Sequence, residues 1–148
     1  MYIDSAYLNL TVGTARVSAL CATAGEVDAV IELAEAKVES ALKGAGYDTA
    51  VPSSVYTDTD DVPKQIKLAS LGLWLVLAHG RHNRTVPNDP SLKEIVDTWR
   101  QLHAGELEIP ELEKNVARAV GGVIATEADP DTTGSVPQVF TRESMEGY

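Results

Sequence analysis

Hydrophobic positions along the chain recur at helical rather than strand spacing. Between Glu26 and Lys43, Val27, Val30, Ile31, Ala34, Val38, Ala41 and Leu42 fall three or four apart on one stripe. Asp28, Glu32, Glu35 and Glu39 take the other side, as a solvated face would. Thr23 stands three residues before Glu26, the spacing of a capping box, and Gly44 and Gly46 mark the far end. Such a helix is roughly 27 Å long. A second helix is predicted over Pro63 to about Gly80, with Asp60 or Asp61 as its cap. Its apolar residues, Ile66 through Leu77, leave almost no polar face, so it should lie centrally. A third runs from Asp89-Pro90 to Gly105, with Leu92, Ile95, Val96, Trp99 and Leu102 as its buried stripe.

Shorter elements fill in around these. "IDSAYLNL" reads as a short helix capped by Asp4 or Ser5 and ended by Gly13. "TARVSALC" reads as another, with Val17, Leu20 and Cys21 facing inward. The Pro, Ser, Thr and Asp content of "YDTAVPSSVYTDTDDVP" marks a loop. A last short helix is expected over about Glu111 to Val120. From Thr126 onward periodicity stops. The expected fold is all-α, a small helical bundle of three main helices plus short ones. Residues 1–125 form the bundle and residues 126–148 an extended C-terminal docking arm.

The composition narrows the function. The chain has 148 residues, 44 % hydrophobic, and a formal net charge of −10. That balance argues against binding nucleic acid through its phosphates. An acidic wall could still surround DNA and leave it free to slide. No apolar run reaches membrane-spanning length, and "MYIDSAYLNL" lacks the pattern of a secretory signal. The lone Cys21 fits a small buried hydrophobe in a reducing compartment.

Candidate chemistry is sparse. His79 and His82 lie three apart, but no further ligand stands near them in sequence, so a polar helix terminus explains them better than a metal. His103, in the last turn of its helix, has the same explanation. "DTDD" at Asp58–Asp61 lacks the alternation and glycine of a calcium loop. There is no phosphate loop, no nucleophile elbow and no nucleophile–base pair. The reading is a non-enzyme without metal or cofactor. One basic island, Arg81, His82 and Arg84, interrupts the acidity. It is either a helix end meeting an acidic neighbour or a loop near DNA.

The order of several stretches goes further. They are "MYIDSAYLNLTVG", "EVDAVIELAEAKVESALKGAGYDTAVP", "VPKQIKLASLGLWLVLAHGR", "VDTWRQLHAGELEIP" and the ending "PQVFTRESMEGY". Together they resemble the Mu-like phage head–tail connector family, the neck adaptors of tailed phages. After the first long helix, "GYDTAVP" departs from the Arg-Tyr pair common in that family. The resemblance implies a virion protein made in the host cytoplasm. It would form a ring, usually of twelve subunits, under the portal protein. The ring would meet a tail-proximal neck or tail-terminator protein, and DNA would pass through its lumen without sequence-specific binding.

On this reading Val136, Gln138, Val139, Phe140, Arg142, Met145 and Tyr148 form the portal-binding arm. Leu71, Trp74, Leu75 and Trp99 are candidates for subunit interface or core. Arg81, His82 and Arg84 are candidates for a loop near the lumen. The alternatives are a tail-completion protein, expected to be mixed α/β, and a cytosolic regulatory or DNA-binding helical protein. The second lacks a basic recognition face.

Overall fold

The computed structural model describes residues 1–115. Over these residues the fold is all-α, with no strand. The seven arm residues named above and the proposed boundary at 125/126 lie outside the described residues. So does most of the expected helix near 111–120, whose first five residues form a turn and a bend rather than helix.

The chain opens with α1 (Ser5–Leu8), a π-helical turn (Asn9–Gly13) and α2 (Thr14–Leu20). Asp4, rather than Ser5, caps α1, its Oδ1 accepting from the Tyr7 amide at 2.6 Å. Helix α3 covers Ala24–Gly44. Thr23 caps it at the spacing the sequence implies, while the Glu26 side chain reaches past the Thr23 amide to that of Ala22. Thr23 Oγ1 accepts from the Glu26 amide at 3.2 Å, while the Glu26 carboxylate accepts from the Ala22 amide at 2.7 Å. At the other end, Tyr47 N–H donates to Leu42 O and Gly46 N–H to Lys43 O, which together form a Schellman motif. Gly46 takes φ 90°, a conformation that a side chain would strain, so glycine belongs there.

The acidic side of α3 is not all solvated. The Tyr2 amide donates to the Glu35 carboxylate, and the Ser53 amide donates to Glu39 Oε1 at 2.6 Å. Two carboxylates read as a water-facing stripe therefore hold the N-terminal segment and the 53 loop. Beneath them Tyr2 is fully buried, its hydroxyl donating to Ala50 O at 2.6 Å. Burial, with the Glu39 carboxylate adding to it, raises the Tyr2 phenol well above its usual range.

The predicted loop is built from three 3₁₀ turns at Asp48–Ala50, Ser53–Val55 and Thr59–Asp61. Asp60 and Asp61 do not cap the next helix. They belong to the last of these turns, which Asp58 caps by accepting from the Asp60 amide at 3.0 Å. The buried Val62 intervenes, and α4 (Lys64–Gly80) starts from Pro63 with no side-chain cap.

Helix α5 (Pro90–Ala104) begins at Asp89 and ends where the backbone turns left-handed at Gly105, as predicted. Helices α3 and α5 pack mainly on α4 rather than on each other, which makes α4 the centre of the bundle. Leu71, Trp74 and Leu75 are fully buried inside the single chain. The apolar excess of α4 is thus absorbed by α3 and α5, and these three side chains have no surface to offer a second subunit. Trp99 is half-buried.

Candidate functional site

The C-terminal end of α4 carries the basic island of an acidic chain. Four backbone bonds close it. Arg81 N–H donates to Leu77 O, His82 N–H to His79 O, Asn83 N–H to Gly80 O and Arg84 N–H to His79 O, all between 3.0 and 3.1 Å. Asn83 takes φ 53°, in the left-handed region where asparagine is the best-tolerated side chain after glycine. The tight turn throws Arg81, His82 and Arg84 outward, and all three are exposed.

They do not act alike. Arg81 faces Glu26 at 3.7 Å, so this residue meets an acidic neighbour at the start of α3. His82 Nε2 donates to Leu20 O at 2.8 Å, which ties the loop to the end of α2. Arg84 makes no ion pair among the described residues and points its charge to solvent. The sequence reading missed Arg16. It comes from α2 and binds Asp89 at 3.2 Å, joining α2 to the start of α5. Asp89 is held below its usual range, first by Ser91 through side-chain and backbone hydrogen bonds and then by Arg16. Three of the four described arginines thus sit at one end of the bundle.

His79 lies under this cluster, 7 % exposed, with neither ring nitrogen hydrogen-bonded to the described residues. Burial lowers its pKa, and Arg16, Arg84 and His82 lower it further. Such a histidine binds fewer protons folded than unfolded. Its contribution to stability is complete above its ordinary value of 6.5 and declines as pH falls below that. We expect the native protein to lose more unfolding free energy between about pH 7.5 and 5.5 than His79→Leu does. Parallel urea titrations at the two pH values measure the difference, and equal losses would exclude His79 as the cause.

His82 uses Nε2 to bind the Leu20 carbonyl, while both ring nitrogens of His79 lie buried without a hydrogen-bond partner among the described residues. Among the described residues no group of three or more His, Cys, Asp or Glu side chains could hold a metal. Cys21 is buried, and burial pushes its thiol up, so it is a poor nucleophile. Among the described residues no helix is long and apolar enough to cross a membrane. With Arg81 paired to Glu26 and Arg16 to Asp89, Arg84 is the cluster's one arginine without an ion pair among the described residues, and it is the charge this helix end offers to an anionic surface.

The other described candidate, Trp99, lies at the far end of α5. Its ring meets His103 edge-on, with centroids 5.4 Å apart. The spacing of four in "WRQLH" is the sequence signal for that pair. A scan of protein-family models, a search of curated proteins and a search of solved structures each returned no match.

Proposed function

We propose that this chain is a structural connector of a tailed phage, one subunit of a ring that joins portal to tail and lets DNA through. The observation that carries the reading is the segregation of charge. Arg16, Arg81 and Arg84 gather at one end of a bundle whose chain carries −10 overall, the first two paired with Asp89 and Glu26 and Arg84 facing outward without an ion pair among the described residues. A conduit for DNA needs weak, sequence-independent contact at few points and repulsion elsewhere, so that the duplex is guided without being gripped. Ring closure needs two unlike faces on each subunit. Leu10 at 85 % exposure, with Leu33, Val55 and Val76, supplies apolar surface outside the core for such faces. The ordered sequence stretches that resemble the connector family support the same reading. A strand-free fold over the described residues favours it over a mixed α/β tail-completion protein.

The arm residues Val136, Val139, Phe140, Met145 and Tyr148 are then portal anchors, and Arg142 pairs with a portal carboxylate. Removing 135–148 is expected to abolish attachment to the portal while leaving the helical circular dichroism unchanged. Co-sedimentation with purified portal rings, followed by electron microscopy, measures this. Normal docking by the shortened chain would overturn the arm assignment.

A further inference from the structure

Because α3 and α5 each pack on α4, their C-terminal ends leave a groove of about 560 Å³ between them. From α3 it takes Lys37, Ser40, Ala41 and Gly44, spaced along one helical stripe. From α5 it takes Trp99, Leu102 and His103. Small residues, Ser40, Ala41, Gly44 and Ala45, form the α3 side, and the Trp99–His103 pair makes an aromatic wall. Lys114 closes the rim, its Nζ donating to Gly105 O at 3.3 Å and lying 5.6 Å from the centre of the Tyr47 ring. The chain has 22 acidic and 12 basic side chains, yet two lysines and a histidine line this groove with no carboxylate among them. Small residues beside an aromatic wall, inside a cationic rim, suit a peptide with an aromatic anchor beside carboxylates.

We propose that the groove is the docking site of this chain's own segment 127–140, "EADPDTTGSVPQVF". The described chain ends beside the groove. Lys114 lines the rim, and the Asn115 amide donates to Gly46 O at 2.8 Å. Glu127, Asp129 and Asp131 supply negative charge for Lys37 and Lys114. Val136, Val139 and Phe140, the last being the sole phenylalanine, supply the anchor. The twelve residues from Asn115 to Glu127 reach up to about 40 Å when extended, ample for a return to the groove. Tethering raises the effective concentration to the millimolar range, so weak contacts suffice. The docked segment would cover Phe140 until a stronger partner displaces it. The docking does not depend on the phage reading, since portal attachment and groove occupancy are separate measurements.

The test uses the full chain with Ser135→Cys carrying a nitroxide, Cys21 being buried. The readout is paramagnetic broadening of the Trp99 indole resonance in dilute protein. We expect broadening that does not vary with protein concentration. It should be lost in Lys37→Glu/Lys114→Glu and return when Glu127, Asp129 and Asp131 are changed to Lys in that background. Lys37→Glu alone, at an exposed position, should weaken it without disturbing the fold. No broadening in the native background, or broadening indifferent to the charge reversals, would overturn the proposal. Broadening that grows with concentration would assign the groove to a second copy and overturn docking within one chain.

Discussion

Gly72→Ala is expected to destabilise the fold by about 3 kcal/mol, the upper end of the usual cost of overpacking a core. The reason is the crossing of α4 and α5. A Cβ built on Gly72 would stand 2.3 Å from the Ile95 carbonyl oxygen, 3.0 Å from its carbon and 3.0 Å from Trp99 Cβ. A side-chain clash can be relieved by a new rotamer, but two of these three atoms are backbone. The helices would have to move apart, loosening the contacts around Trp74, Leu75 and Leu92. Gly80→Ala in the same helix is the control, because nothing lies within 4 Å of its Cβ position. Helix propensity alone should make that change neutral or stabilising by up to about 1 kcal/mol. Urea unfolding followed at 222 nm compares the two, and equal midpoints would refute close approach at Gly72. The shift should also move Trp99 and so disturb the groove beside it.

Tyr47→Phe is expected to cost about 2 kcal/mol, within the range for leaving a buried polar group unpaired. The Tyr47 hydroxyl accepts from the Ile109 amide at 3.0 Å and donates to Leu107 O at 3.1 Å. Both bonds are buried, and Tyr47 is 2 % exposed. The variant keeps the ring and its packing but strands an N–H and a C=O away from water. Hydrogen exchange locates the damage. The Ile109 amide should lose protection well beyond the global change, while amides in the middle of α4 follow only the global change. Unaltered protection at Ile109 would mean that the phenol does not hold the 107–109 segment. Lys114 packs over the same ring, so this bond also sets the rim of the proposed docking groove.

What was legible in advance was local. Helix α5 is the clearest case. Asp89, Pro90 and Gly105 each act within a turn of their own position, and the helix runs between them as read. The Thr23 cap and the buried stripe of α3 follow the same rule. The start of α4 differs from the expectation because three acidic residues, Asp58, Asp60 and Asp61, offer several equivalent caps. Which of them is used depends on where Val62 is buried, and that depends on the rest of the bundle. The basic island at Arg81–Arg84 could be seen in the sequence, but Arg16 could not be joined to it. Arg16 reaches this end of the bundle through Asp89, 73 positions further along the chain.

The helical class, the apolar centre of α4 and most helix ends are written in the residue order, because periodicity and capping act over three to four residues. Only the tertiary structure decided what each face meets. It turned Glu35 and Glu39 from a solvated stripe into anchors for the N-terminal segment and the 53 loop. It enclosed Leu71, Trp74 and Leu75 within one chain, and it opened a carboxylate-free groove beside Trp99. Those outcomes depend on long-range packing, where residues far apart in sequence share one surface, and no local pattern specifies which residues they will be.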